Sequence, residues 1–205
     1  MYYQQYQSTA ALASERGEFL RKVYMNLALG FVGFIALEAF LLTWQPAVEL
    51  AQKMVTGNNW LIVLLAFMGV SWLANSWAVN GATLGKQYAG FALYIIAESI
   101  IFLPLLIFAN MFAPDTIPQA GIITAALTAG ISAYAFFSKK DFSFLGSFLT
   151  IASFVALGII VCAILFGIQL GLWFSGAMII FAGLVVLYQT SAIIRQYQND
   201  QYVAA

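Results

Sequence analysis

The sequence predicts an all-α membrane protein with six transmembrane helices, and three observations lead there. Of its 205 residues, 63% are hydrophobic and 8% charged, with a mean hydropathy of +0.91. A soluble domain carries about 25% charged residues, so this chain lacks the polar groups to cover a globular surface. Six apolar runs reach the length of about 20 residues that a helix needs to cross hydrocarbon. Finally, the runs show no period-two alternation, the mark of a membrane barrel, and in lipid only a helix satisfies its own backbone groups.

The elements follow in order. Residues 1–22, MYYQQYQSTAALASERGEFLRK, form a polar tail. They lack the basic start, apolar core and small-residue cleavage site of a secretory signal. The six spans are 23–43, 60–79, 88–111, 117–137, 144–166 and 170–194. Residues 23–194 are thus one transmembrane bundle, and 195–205 a second tail or the start of a further helix. The connectors NGATLGKQ, APDT, SKKDFS and GIQ are short, so consecutive helices pack antiparallel. Only WQPAVELAQKMVTGNN, between the first two spans, has room for a short interfacial helix. Trp44 and Trp60 flank that connector at the membrane boundary, where amphipathic rings anchor.

Basic residues set the orientation. Arg16, Arg21, Lys22, Lys86, Lys139, Lys140 and Arg195 fall on one side of the membrane, and Lys53 alone falls on the other. The positive-inside rule therefore places both termini in the cytoplasm.

The span at 117–137 carries Gly121, Ala125, Ala129 and Ala133 every four residues, with Thr124, Thr128 and Ser132 beside them. Small stripes let helix backbones approach, which predicts a central packing helix. The alternative is a pore lining with hydroxyls facing water. Pro104, inside the third span, cannot donate to the carbonyl of Ile100 and predicts a kink there.

Polar groups inside the spans are candidates for function. Glu98 lies mid-span in YIIAESIIFLPLL, with no lysine or arginine at its depth. It is either a proton-sensing or cation-coordinating group, or a hydrogen-bonding strut between helices that pairs with hydroxyls or amides. Glu38, in IALEAFLL, lies in the outer third of the first span, within reach of water. Asn75 with Ser76, and Gln189 with Tyr134, occupy the inner third of their spans. They suit a polar cluster opening to the cytoplasm or amide contacts between helices.

Other classes are disfavoured. The chain has no histidine and a single cysteine, Cys162. That leaves no intrachain disulfide and no ligand set for zinc, haem or an iron–sulfur cluster, so no cofactor is expected. A serine–histidine protease site needs a histidine. An intramembrane aspartyl dyad needs two embedded aspartates, whereas Asp115, Asp141 and Asp200 lie in connectors or the tail. Eight acidic and eight basic residues cancel, giving no reason to expect a nucleic-acid partner.

Several stretches, taken in order, resemble the Bax-inhibitor family. SKKDFSFLGSFLTIAS is similar to that family's basic turn and entry into its fifth helix. VLYQTSAIIRQYQND resembles the end of its sixth helix and the polar loop beyond, and YIIAESIIFLPLL stands in place of its third-helix segment. The polar start running into LRKVYMNLALG also fits. The branch it looks most like is that of bacterial inner-membrane modulators of the AAA protease FtsH. The resemblance implies a bundle of six helices around a short seventh, and, for some members, a pH-sensitive calcium leak through an acidic pair on helices six and seven. This sequence departs at both places. Gln189 stands where the family has its helix-six acid, and the residues after the sixth span end at QYVAA, where the family's last helix would begin. The chain is accordingly expected to lack part of that helix.

These readings converge on a non-enzymatic, multi-pass protein of the bacterial inner membrane. Its expected partners are the bilayer and a membrane AAA protease complex or other membrane subunits. The rivals are a leak for Ca²⁺ or H⁺, using Glu98, Glu38 and Gln189, and a structural subunit of a larger assembly.

Overall fold

A computed structural model describes residues 2–57, 59–81, 83–138, 140–199 and 201–205, with side chains from residue 14 onward. Lys139 and Asp200, used above, lie outside the described residues. Among the described residues there are seven helices and no strand. They are α1 (Tyr2–Leu41), α2 (Gln45–Met54), α3 (Asn59–Asn80), α4 (Leu84–Phe112), α5 (Thr116–Phe137), α6 (Leu145–Phe166) and α7 (Leu172–Arg195). All but α2 are long and apolar enough to cross a membrane.

Most spans end within about two residues of where the sequence placed them, while α4 begins four residues earlier, at Leu84 and not at 88; turn chemistry marks the boundaries. Thr83 caps α4 by accepting a hydrogen bond from the Lys86 N–H at 3.3 Å. Gly167, at φ 66°, closes α6 in the left-handed conformation, and the Ile168 N–H bonds back to the Ala163 carbonyl at 3.0 Å. α1 departs from expectation at its start, since the helix already begins at Tyr2. The stretch before residue 22 has no proline and one glycine, and its Gln, Ala, Glu, Leu, Arg and Lys residues are good helix formers. A helix of 40 residues is about 60 Å long, twice the hydrocarbon thickness of about 30 Å. The polar first half thus runs on beyond the apolar length needed to span.

The chain divides into two compact units. One holds α1–α4 with the C-terminal residues from Gln198; the other holds residues 119–197. In the first unit, α3 and α4 meet almost backbone to backbone. A Cβ placed on Gly90 would lie 2.5 Å from the Ala74 carbonyl oxygen and 2.9 Å from the Trp77 Cβ. α1 and α4 run parallel: Gly30 receives the ring of Phe91, and Phe34 meets Phe102 edge to face at 5.6 Å. α2 turns its apolar face inward, so Ala47 and Ala51 close a cluster with Leu41 of α1 and Leu103 of α4. Trp44, in extended backbone, and Pro46 set its start.

The C-terminal segment belongs to this first unit. Asn26 of α1, buried, accepts from the Tyr88 hydroxyl at 3.2 Å and donates to the Tyr202 carbonyl at 3.3 Å. Arg16 donates to Asn199 at 2.9 Å, Lys22 stands over the Tyr202 ring, and Val203 is buried.

In the second unit, Ile131 of α5 packs on Gly183 of α7, and Gly146 of α6 meets the Tyr188 ring of α7. The connector before α6 is tied down by Phe142, whose N–H donates to the buried Ser191 hydroxyl at 3.2 Å. Arg195 donates to the Lys140 carbonyl at 3.0 Å.

Across both units large apolar side chains face outward, among them Trp72, Phe154 and Trp173, the last 92% exposed. For helices of spanning length, that is the surface of a chain solvated by lipid.

Candidate functional site

The polar side chains inside the spans fall into distinct settings. Glu38 lies on the stripe of α1 that carries Phe34 and Leu41 toward α4. It is 4% exposed, and neither carboxylate oxygen has a hydrogen-bond partner among the described residues. The sequence put it within reach of water. It is buried instead, one turn before Leu41, which packs with Ala47 and Ala51 of α2 and Leu103 of α4. An ionised group in apolar surroundings costs on the order of 3 kcal/mol on insertion scales.

Ser99 on α4 is fully buried, and its hydroxyl is also unpartnered among the described residues. It lies one helical turn before Leu103, as Glu38 lies one turn before Leu41. Glu38 and Ser99 thus lie in the same unit, on α1 and α4, each one turn before a member of that apolar cluster. Sequence reasoning passed over Ser99; its position one turn before the buried Leu103 was the available signal.

Glu98, next in the chain, is half-buried and lies one turn after Tyr94 on the same helix. Glu98 is partly exposed and Ser99 fully buried, so α4 carries the two in different settings. α4 continues without a break through Pro104. The carbonyl of Ile100 therefore has no proline N–H to receive. Asn75 is exposed on α3 in the first unit, and Gln189 is exposed on α7 in the second.

On α5, Gly121, Ala125, Ala129 and Ala133 are all exposed. The packed edge of that helix within its unit is instead the one bearing Ile131, with Ser132 and Ala135 buried. The closest backbone seam lies at α3 and α4, and Ala74 and Ala78, spaced small-xxx-small, were its sequence signal. A groove of about 410 Å³ between α5 and α7 is lined by apolar residues, with Tyr134 beside them.

Outside the spans, Asp141 accepts from the Ser143 N–H at 2.9 Å and its hydroxyl at 2.8 Å. These bonds hold its carboxyl below the ordinary aspartate range, with a smaller push from the Arg195 charge. Cys162 is exposed on α6. Among the described residues, no three of His, Cys, Asp and Glu gather as a metal site would require.

Comparison with known proteins fits this architecture. The family model described as "Inhibitor of apoptosis-promoting Bax1" matches residues 16–205. An uncharacterized protein of Pseudomonas aeruginosa is 29% identical over 213 residues, covering 98% of this chain and 87% of the relative. The Golgi anti-apoptotic protein of Vaccinia virus is 28% identical over 214 residues, covering 98% of this chain and 82% of the relative. An uncharacterized membrane protein of Vibrio cholerae is 36% identical over 98 residues, covering 45% and 41%. No solved structure matches the chain.

Proposed function

The chain belongs to the Bax-inhibitor family of multi-pass membrane proteins, and from that premise we propose a non-enzymatic protein that modulates or accompanies a membrane complex such as an FtsH-type AAA protease. We place it in a bacterial inner membrane with its N-terminus in the cytoplasm. The observation that carries the reading is α1. Its polar first half continues the first spanning helix beyond the apolar length needed to span, at the end that the positive-inside rule assigns to the cytoplasm. That projection gives a complex in the same membrane a rigid arm to grip.

The test is purification of the tagged full chain in several mild detergents, followed by mass spectrometry. A membrane complex should co-purify, and should be lost when residues 2–13 are removed. Recovery of the chain alone in every detergent refutes the reading. Labelling of cysteines introduced at positions 115 and 140 checks orientation; only position 140 should react from the cytoplasm.

A second reading, a pH-sensitive cation or calcium leak, is favoured by two acids in the first unit, Glu38 and Glu98. Flux into liposomes, wild type against Glu98→Gln, decides it. A leak lost only in the variant supports the reading, and no leak in either protein removes it.

A further inference from the structure

We propose that the groove between α5 and α7 seats one acyl chain of an anionic phospholipid, whose head group rests on the basic turn that follows α5. The groove holds about 410 Å³, the size of a small-molecule site. Its walls run from Leu127 to Tyr134 on α5 and from Ile179 to Leu187 on α7, all within the second unit.

Two glycines shape the recess. Gly183 lets α5 approach, since a Cβ there would lie 3.2 Å from Ile131 Cδ1. Gly130, also on the wall, opens the space beside that contact, for a Cβ on it would find nothing within 4 Å. Elsewhere on this unit large side chains such as Phe154 and Trp173 stand outward. The groove is thus a built feature and not the general texture of a lipid-facing surface.

Its setting decides the occupant. Both walls lie in helices long and apolar enough to cross a membrane. Gly130 stands about 10 Å and Leu187 about 12 Å from the ends of their helices at Phe137 and Arg195. The positive-inside rule assigns those ends to the cytoplasm. The groove therefore lies at hydrocarbon depth and runs toward that side. Leu127, Ile179 and Ile180 are exposed on its walls, so it is open to its surroundings. Tyr134 is the one lining residue with a polar side chain, which leaves ordered water without its usual two to four partners. An empty recess would forfeit the dispersion contacts of its lining. A lipid tail supplies them. At about 30 Å³ for each water-sized group, the volume takes roughly fourteen, and methylenes of that size in that number make one acyl chain.

The tail alone gains little, because bilayer hydrocarbon is as apolar as the groove. Preference must come from the head group. Tyr134 lies one turn beyond Gly130 toward the cytoplasmic end, and its ring meets Phe142 of the following turn at 6.0 Å. That turn carries the exposed Lys140, and Arg195 is tied beside it by its bond to the Lys140 carbonyl at 3.0 Å. Asp141, the acid of the turn, accepts from the Ser143 N–H and hydroxyl. Two positive charges against one negative leave a rim that attracts a phosphate.

The seat depends neither on a partner complex nor on flux, so its test is separate from both. The full chain is reconstituted in phosphatidylcholine nanodiscs with a trace of phosphatidylglycerol that carries a diazirine midway along one acyl chain. Illumination and mass spectrometry map the adducts. They should gather on residues 127–134 and 179–187, in excess over Phe154 on the exposed face of α6, and unlabelled phosphatidylglycerol should compete them away. The same probe chain on phosphatidylcholine should label the groove about fivefold less, the worth of one basic residue beside an anionic head group. Lys140→Gln should erase most of that difference. Gly130→Leu, which fills the recess from a position with free space around it, should remove the groove adducts and leave those at Phe154. Groove adducts no denser than those at Phe154, or not competed by unlabelled lipid, overturn the proposal. So does their absence, the result expected if a protein helix or a second copy of the chain covers the groove. Equal labelling by the two probes overturns the anionic assignment. These readings are made on the wild type, so no variant need fold for the proposal to fail.

Discussion

Gly90→Ala should loosen the closest helix seam in the first unit. On an open helix the change is favourable, because alanine exceeds glycine in helix propensity by about 1 kcal/mol. Here the added Cβ would stand 2.5 Å from the Ala74 carbonyl oxygen, 2.9 Å from the Ala78 nitrogen and 2.9 Å from the Trp77 Cβ. Two of those atoms are backbone and cannot rotate aside, so α3 and α4 must separate. Overpacking costs about 1–3 kcal/mol, and contacts with fixed backbone belong at its upper end. Subtracting the propensity gain leaves a net loss of about 2 kcal/mol, or roughly a 30-fold shift toward the unfolded state. Gly69→Ala on α3 is the control, because nothing lies within 4 Å of its would-be Cβ. Reversible unfolding in mixed micelles, followed by helical circular dichroism, measures both. If Gly90→Ala proves as stable as Gly69→Ala, the seam does not hold the two helices together.

Leu103→Ala should cost about 2–5 kcal/mol in the same assay, since the side chain is 2% exposed and closes the cluster of Leu41, Ala47 and Ala51. Asn26→Ala removes the acceptor for Tyr88 and the donor to Tyr202. It should free the C-terminal segment, read as faster maleimide labelling of a cysteine placed at position 203 in Cys162→Ala protein. At Asp141 the folded carboxyl is held below its unfolded value of about 3.9. The turn's contribution is then complete above that pH and is lost as pH falls through the lower, folded value. The Ser143 amide resonance should titrate in that acid range, and Asp141→Ala should abolish the titration.

Much of the fold was legible because lipid imposes one rule on every span. Each must be apolar for its whole length, and each ends where Thr83, Gly167 or the Trp44–Pro46 turn interrupts the run. The start of α1 was not legible, because MYYQQYQSTAALASERGEF shows no apolar periodicity and propensity alone carries the helix back to Tyr2. The seams were legible only in part. A regular stripe of small residues on α5 drew attention, yet those positions are exposed, and a single Gly90 against Ala74 makes the closest approach. Spacing shows which helix faces can approach; it does not show which face meets a neighbour.

The settings of Glu38 and Glu98 reverse their order of depth along the sequence. Glu98 sits mid-span, yet it is only half-buried. Glu38 sits nearer the rim, where water would solvate it on a bare helix. It is 4% exposed all the same, one turn before Leu41, which packs with Ala47 and Ala51 of α2 and with Leu103. Depth in the membrane therefore does not rank these acids by burial. The same reasoning yields a last expectation: Ala51→Trp, at a position 1% exposed, should force α2 away from the cluster and admit water to Glu38. Modification of Glu38 by dicyclohexylcarbodiimide, which reacts with protonated carboxyls in apolar surroundings, should then slow as the carboxyl becomes hydrated. Unchanged modification would mean that α2 is not what keeps the acid dry.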